Sequence, residues 1–160
     1  MSINVGDPLP NATLFIMSDT GPKTMTTAEL FAGKKVVLFA LPGAFTPTCS
    51  AKHLPGFVSN ADAIKAKGVD RIICLSVNDA FVMDAWGKDQ KVGDKVQMVA
   101  DGNGDFTRAI GLEMDGSGFG LGSRSQRYAM IVENGVVTAL NVEKPRAFEV
   151  SSAEAIMKLL

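Results

Sequence analysis

Long apolar runs without regular polar alternation mark the strand candidates of this chain. Residues 34–41 and 71–78 are rich in β-branched and apolar side chains, which predicts strands that are covered on both faces. Residues 96–101 predict a third buried strand, and residues 13–17 predict a short strand near the beginning of the chain. We therefore expect a sheet whose central strands lie inside the molecule.

Helical periodicity occupies the segments between these strands. Thr26 stands three residues before Glu29, which is the spacing of a capping box, and begins a short helix that Gly33 ends. Apolar residues recur at three- and four-residue steps over residues 47–67, which predicts one long helix. Pro55 lies inside this helix and predicts a kink or a break.

The second half of the chain predicts further helices and one hairpin. Helices are expected from Asn78 or Asp79 to Trp86, over residues 102–111, and from Ser151 or Ser152 to Leu160. Asn134 and Gly135 separate two apolar runs, which is a strong signal for a hairpin, and the glycine-rich residues 114–123 predict a loop. Elements in this order predict a single α/β domain over residues 1–160, with a mixed central sheet flanked by helices.

Composition narrows the class of protein. Of the 160 residues, 46% are hydrophobic and 21% are charged, which is typical of a globular domain. The formal net charge of -1 gives no electrostatic basis for binding nucleic acid or an acidic membrane, and no apolar run approaches the length that crosses a bilayer. With two cysteines and no secretory signal pattern at its start, the sequence predicts a protein of the reducing cytoplasm.

The motifs of several common sites are missing from the sequence. The stretch from Gly116 to Gly122 does not fit G-x-G-x-x-G, and there is no Walker sequence. His53 is the only histidine, and neither C-x-x-C nor G-x-S-x-G occurs. The sequence therefore predicts no nucleotide, metal or serine-hydrolase site.

Cys49 follows a buried strand and lies just inside the long predicted helix, whose first residue is Pro47. Unpaired amide N–H groups and the helix dipole at that place favour the thiolate, which is the nucleophilic form of cysteine. Each such effect contributes only roughly 0.3–1 kcal/mol. A reactive Cys49 therefore needs a fixed cation and a hydrogen-bond donor in addition.

Thr46 is the candidate donor, because it can present its hydroxyl to the sulfur or to a substrate oxygen; alternatively, it caps the helix. Arg124 and Arg127 are the candidate cations. Arg127 directly precedes an apolar strand, where burial is costly unless an anion pairs with the guanidinium, whereas Arg124 is expected in an exposed loop. We therefore prefer Arg127 as the cation beside Cys49, although composition alone would place both arginines at the surface.

Two further side chains suggest a chemical role but have simpler interpretations. His53 follows Cys49 by one helical turn, but we expect it to face solvent, because nothing nearby in the sequence orients it as a base. Cys74 lies in the middle of a predicted strand, where a cysteine is most often a small buried hydrophobe. The alternative is a resolving thiol that forms a disulfide with Cys49, which requires Cα atoms within about 7 Å.

The segment PGAFTPTC resembles the peroxiredoxin signature P-x-x-x-T-x-x-C through Pro42, Thr46 and Cys49. The longer string LPGAFTPTCSAKHLPGF is similar to the type II, or peroxiredoxin-five-like, branch of that family. The same holds for CLSVNDAFVMDAWG, DGNGDFTRAIGLEMD, GSRSQRYAMIVENG and ALNVE, which follow in the order of that branch. The resemblance therefore covers almost the entire chain.

The resemblance implies a thioredoxin-like fold and a thiol peroxidase that needs no metal, haem or flavin. It implies that Cys49 is the peroxidatic cysteine, which attacks hydrogen peroxide or an alkyl hydroperoxide and becomes a sulfenic acid. By the same resemblance, Arg127 carries the role of the family's active-site arginine. Thr46 would hydrogen-bond the peroxide and the sulfur, and Pro42 would shield the thiolate from water.

The sequence departs from some members of this branch in the segment after ALNVE. Those members carry a resolving cysteine there, whereas residues 144–155 of this chain contain none. The resemblance then implies an external reductant, which is glutathione with glutaredoxin or, in some relatives, thioredoxin. It also implies a homodimer in which the GAFTPTC loop and the VNDAF region contribute to the contact.

Two alternatives to a glutaredoxin-dependent peroxidase stay open. In one, thioredoxin reduces the enzyme and Cys74 is the resolving thiol. In the other, the protein is a peroxide sensor that relays oxidation to a partner protein. A disulfide reductase of the thioredoxin fold is disfavoured, because Lys52 stands where C-x-x-C would place its second cysteine.

Overall fold

A seven-stranded mixed sheet forms the centre of the structure, a computed structural model that describes residues 2–160. The strands are β1 Thr13–Ser18, β2 Gly21–Thr26, β3 Lys35–Ala40, β4 Arg71–Ser76, β5 Gln97–Ala100, β6 Glu113–Asp115, β7 Ser123–Ser125, β8 Tyr128–Glu133 and β9 Val136–Val142. The order in the large sheet is β2-β1-β5-β4-β3-β8-β9, while β6 and β7 form a separate pair. β3, β4 and β5 run parallel, and the outer pairs are antiparallel.

Helices cover both faces of the large sheet. They are α1 Thr27–Phe31, α2 Leu54–Ala66, α3 Ala80–Asp89, α4 Asp105–Ile110 and α5 Ala153–Met157. Because side chains alternate along β3, Val37 and Phe39 pack with α2, α3 and α5, whereas Val36 and Leu38 pack with α1 and α4 on the other face. The predicted α/β arrangement is confirmed. Over residues 2–160, no helix combines the length and the apolar character that a membrane span needs.

Several local predictions are confirmed by the backbone geometry. Thr26 and Glu29 form a complete capping box at the start of α1, since the side chain of each accepts from the backbone N–H of the other. Asn134 and Gly135 have φ values of 49° and 78° in the turn between β8 and β9, the left-handed conformation of a tight hairpin. Gly111 adopts the same conformation and ends α4.

Some predicted boundaries are wrong. The sequence does not predict β2, which pairs with β1, because its polar and mostly exposed residues give no apolar run to detect. The glycine-rich segment is only partly a loop, since β6 and β7 pair on either side of its centre. α3 continues to Asp89 instead of ending at Trp86, and α5 ends at Met157 instead of Leu160.

The long predicted helix begins at Pro47 and is interrupted at the cysteine. Cys49–His53 form a single π-helical turn, and α2 continues from Leu54. In this π-turn the Leu54 N–H donates to the Cys49 carbonyl, a longer bond path than in an α-helix. Pro55 follows at once and has no N–H for the usual helical bond, so the expected break is a π-turn just before the proline.

Candidate active site

Cys49 lies in the π-turn beyond the end of β3, and its side chain is fully buried. β3 leads through Leu41 and Pro42 into the loop that precedes this turn, so the cysteine lies beyond the carboxyl-terminal end of a central strand. The thiol is free and packs in the core cluster shared with α2. A reactant must therefore reach the sulfur from an opening in the surface nearby.

Arg127 reaches Cys49 because of the strand register. β8 runs antiparallel to β3 with Tyr128 opposite Ala40, so the residue before β8 arrives where β3 ends. From there Arg127 Nη2 donates to Cys49 Sγ over 3.1 Å. Because arginine does not lose its proton in proteins, this hydrogen bond places a permanent positive charge against the sulfur.

Arg124 lies near the same loop but holds its backbone instead of the sulfur. Its Nη1 donates to the Pro42 carbonyl over 3.2 Å, and its Nε donates to the Leu121 carbonyl over 3.0 Å. A Cβ atom on Gly43 would stand 2.6 Å from the same Nη1, so a larger residue at this position would displace the end of the Arg124 side chain. The expectation of an exposed Arg124 is wrong: the side chain is half-buried and fixes Pro42 in the loop before the cysteine.

Thr46 directs its hydroxyl proton to the Gly43 carbonyl, over 2.7 Å, and not to the cysteine sulfur as expected. A hydroxyl has one proton and two lone pairs, so this oxygen can still accept a hydrogen bond. Thr46 lines the same cavity as Pro42 and Arg127. Its hydroxyl oxygen is therefore placed to accept a hydrogen bond from a molecule in that cavity.

A cavity of about 540 Å³ opens beside Pro42, Thr46 and Arg127. Its wall includes apolar side chains from the segment between β6 and β7, namely Phe119 and Leu121, and others from the segment after β9, namely Pro145 and Ala147. Cavities of this size hold small organic ligands. Within the described part of the chain, no group of three or more His, Cys, Asp and Glu residues could hold a metal ion.

His53 is fully buried, which corrects the expectation that it faces solvent. Its Nδ1 lies 2.8 Å from Arg127 Nη1, and its Nε2 lies 3.0 Å from the Ser151 carbonyl. Burial, helped by the Arg127 charge, lowers the pKa of His53 to about 3, so the imidazole is neutral at neutral pH. Local sequence could not reveal this orientation, because Ser151 is 98 residues away along the chain.

Cys74 is fully buried in β4, in register with Phe39 of β3 and Met98 of β5. Burial raises the pKa of Cys74, and the neighbouring Cys49 raises it further, so this side chain is held as a thiol. Both cysteines are free and belong to the same core cluster. The burial agrees with the expected small hydrophobe, and a resolving role stays an untested alternative.

Comparisons with known proteins identify the family. The Redoxin family matches residues 4–157. Peroxiredoxin-2E of Arabidopsis thaliana, a chloroplastic protein, is 55% identical, and the match covers 99% of this chain and 70% of the relative. The chain belongs to the type II peroxiredoxins. The family assignment drawn from the sequence resemblance is thus confirmed.

Solved peroxiredoxin structures share the fold of this peroxiredoxin. Reduced Prx3 of Vibrio vulnificus, in complex with hydrogen peroxide, is 60% identical with a TM-score of 0.95, covering 98% of both chains. The antioxidant protein of Plasmodium falciparum, a 1-Cys peroxiredoxin, is 32% identical with a TM-score of 0.91, again covering 98% of both chains. The fold is therefore thioredoxin-like. Peroxiredoxins reduce peroxides with thiol reductants and need no prosthetic group, so this chain is a thiol peroxidase.

Proposed function

We propose that Cys49 is the peroxidatic cysteine and that it reduces hydrogen peroxide and alkyl hydroperoxides. The observation that carries this proposal is the contact of 3.1 Å between Arg127 Nη2 and Cys49 Sγ. This contact gives the sulfur a permanently charged partner, because arginine does not lose its proton in proteins. The cavity of about 540 Å³ leaves room for the organic group of an alkyl hydroperoxide.

In the proposed reaction the Cys49 thiolate attacks the terminal oxygen of a hydroperoxide, ROOH. The sulfur–oxygen bond forms as the oxygen–oxygen bond breaks, which leaves a sulfenic acid on the cysteine and an alkoxide that takes a proton from water. Arg127 stabilises the negative charge as it moves from sulfur to the leaving oxygen. Thr46 accepts a hydrogen bond from the peroxide proton, and Pro42, fixed by Arg124, limits the access of water.

We infer a one-cysteine cycle with an external reductant. Glutathione attacks the sulfenic acid, water leaves, and a mixed disulfide forms on Cys49; a second thiol, from glutaredoxin or glutathione, then restores the thiolate. This cycle is supported by the lack of cysteine in residues 144–155, by the burial and raised pKa of Cys74, and by the similarity to a 1-Cys peroxiredoxin. Such a cycle requires a reducing compartment, for which the cytoplasm is our proposal.

Turnover with different reductants tests this cycle. With glutathione and glutaredoxin, we expect Cys74→Ser to keep most of the activity and Cys49→Ser to lose it. The second candidate, thioredoxin reduction with Cys74 as resolving thiol, is favoured by the position of both cysteines in one core cluster. In that case Cys74→Ser would be inactive with thioredoxin while the wild type turns over. A sensor that relays oxidation would turn over with neither reductant.

We also propose a homodimer formed through an aromatic face, which consists of Phe45 and Phe81. Their side chains are 54% and 63% exposed. The Ala44 N–H donates to the Asn78 side chain over 3.0 Å, which fastens the Phe45 loop to the start of α3, where Phe81 lies. Phe45 has a φ of 64°, a strained value for a bulky residue. Burial of both rings against a second copy would offset that strain and cover the exposed apolar surface.

A further inference from the structure

The carboxylate of Glu143 organises the loop over residues 144–151, which we call the clamp loop. Glu143 is 7% exposed, and its Oε2 accepts from the N–H groups of Glu149, Val150 and Ser151 at 2.8, 2.9 and 2.8 Å. The Ser151 hydroxyl donates to the same oxygen at 2.6 Å. Burial raises the pKa of Glu143, but these hydrogen bonds outweigh it and the net pKa is lowered. The side chain is therefore a carboxylate at neutral pH.

The clamp loop in turn fixes the ring of His53. The Ser151 carbonyl, whose residue is held by Glu143, lies 3.0 Å from His53 Nε2. A carbonyl can only accept and a guanidinium can only donate, so Nε2 carries the proton and Nδ1 accepts from Arg127 Nη1 at 2.8 Å. The two partners of His53 thus select one neutral tautomer.

A neutral acceptor suits this position for an electrostatic reason. Arg127 has to direct its positive charge at the thiolate, and a carboxylate in place of the imidazole would offset much of that charge. His53 holds the guanidinium through a lone pair and adds no counter-charge. Nη1 can then donate a hydrogen bond to His53 while Nη2 donates one to Cys49.

Phe148 supplies a second contact from the clamp loop to the same groups. Its ring centroid lies 5.9 Å from the guanidinium carbon of Arg127 and 5.1 Å from the ring centroid of His53. In addition, the Glu143 N–H donates to the Arg127 carbonyl over 2.9 Å. Glu143 and its loop therefore constrain both the backbone and the side chain of the arginine.

We propose that His53 and Glu143 are positioning residues for the peroxidase reaction. Glu143 holds the clamp loop and the loop holds His53, which aims the guanidinium of Arg127 at the cysteine. Both residues act through the arginine and not on the peroxide. The inference rests on the proposed role of Cys49 as the peroxidatic residue.

The test compares two reactions of the same thiol. Reduction of hydrogen peroxide needs the guanidinium at the leaving oxygen, whereas alkylation by iodoacetamide needs only an accessible thiolate. The first reaction can be followed by the fluorescence of Trp86, the only tryptophan, whose Nε1–H donates to Ser50 beside the cysteine. Mass spectrometry follows the second. Both rates are compared at the high-pH plateau of each variant, where the cysteine is fully ionised, so that a change in thiolate fraction does not enter. There, a general loss of structure alters both rates, whereas a misdirected arginine slows peroxide reduction selectively.

His53→Leu removes both ring hydrogen bonds, and we expect it to slow peroxide reduction on the order of 10–100-fold while alkylation changes less than about threefold. His53→Asn keeps an oxygen near Nδ1 that can accept from Arg127, so we expect it to recover most of the rate. Glu143→Gln loses the charge that holds the clamp loop, and we expect a roughly tenfold selective loss. Glu133→Gln is the matched control, because it changes an exposed carboxylate at the far end of β8, outside the clamp loop, and should keep the wild-type rate.

Selective loss in His53→Leu and Glu143→Gln, with recovery in His53→Asn, supports the positioning roles. Equal slowing of both reactions, or a wild-type peroxide rate in either variant, overturns them. If Glu143→Gln does not fold, the two His53 variants decide alone. Cys49→Ser separates this from the proposed function: a Cys49→Ser protein that still reduces peroxide refutes the assignment of the cysteine. An inactive Cys49→Ser beside an unimpaired His53→Leu refutes only the positioning roles.

Discussion

The guanidinium of Arg127 lies 3.1 Å from the sulfur of Cys49, although 78 residues separate them along the chain. The antiparallel pairing of β8 with β3 creates this contact, since it brings the residue before β8 to the end of β3. The backbone amides at a helix start contribute only roughly 0.3–1 kcal/mol to an anion there. A charged donor in contact with the sulfur is the stronger effect.

Replacement of Arg127 tests the importance of that contact. We expect Arg127→Met to slow the reduction of hydrogen peroxide on the order of 100–1,000-fold, because the charge on the leaving oxygen loses its donor. Arg127→Lys should recover only part of the rate, since an ammonium cannot donate to Cys49 and His53 with the fork geometry of a guanidinium. Single-turnover fluorescence of Trp86 measures both rates.

Arg108→Lys is the control for loss of a guanidinium elsewhere. Arg108 pairs with Asp105 on the surface of α4, at 2.7 Å, and should leave peroxide reduction unchanged. A near-normal rate in Arg127→Met would show that the helix start alone activates Cys49.

The hydroxyl of Thr46 can be removed with little change of shape. We expect Thr46→Val to react on the order of 100-fold more slowly, because the peroxide proton loses its acceptor. Thr46→Ser keeps the hydroxyl and should react nearly as fast as the wild type. The observed rate as a function of peroxide concentration distinguishes the variants. An unchanged rate in Thr46→Val would mean that the hydroxyl has no role beyond its hydrogen bond to the Gly43 carbonyl.

The neutral, buried state of His53 predicts a loss of stability in mild acid. The unfolded chain binds a proton on this side chain near pH 6.5, whereas the folded chain binds it only near the lowered pKa of about 3. The free energy of unfolding should therefore be unaffected above pH 6.5 and fall below it, by up to about 1.4 kcal/mol per pH unit. Denaturant titrations over this range measure the slope.

The matched control for the acid effect is His53→Asn, which has no group that titrates in this interval. His53 is the only histidine of the chain, so the slope just below pH 6.5 should disappear in the variant. The pKa of Glu143 is lowered, so its contribution to the free energy of unfolding is lost only at more acidic pH, below the ordinary glutamate pKa of 4.5. A slope that persists in His53→Asn would assign the effect to another group.

The aromatic face predicts the oligomeric state. Phe81→Asp places a charge on this face and should convert the dimer into a monomer, as measured by sedimentation at several protein concentrations. Val5→Asp is the control at a residue of similar exposure, 60%, and should leave the dimer intact. A wild type that sediments as a monomer throughout, or a dimer that survives Phe81→Asp, would contradict the proposed interface.

Local sequence predicts those parts of the site that depend on neighbouring residues. Pro47 has the backbone preference of a first helical residue, and the helix does begin there. Pro55 removes an N–H, and the helix does change its bonding pattern just before it. The position of Arg127 directly before an apolar strand also follows from the sequence, since that strand is buried over almost its full length.

The parts that the sequence does not predict depend on contacts between distant segments. His53 has the spacing of an ordinary helix residue, and its burial follows from a loop that is 98 residues further along the chain. Glu143 is only a charged residue after an apolar strand until the clamp loop folds back on it. Arg124 has the same ambiguity until its contact with Pro42 is known. In each case the residue type suggests that the side chain has a role, but the partner that defines this role lies far away along the chain.

Oxidation of Cys49 by peroxide is the step on which all the other proposed roles depend. The most direct measurement treats the reduced protein with hydrogen peroxide in the presence of dimedone, which traps sulfenic acids, and locates the adduct by peptide mass spectrometry. We predict an adduct on Cys49 in both the wild type and Cys74→Ser. An adduct on Cys74, with Cys49 left unmodified, would contradict the proposed function.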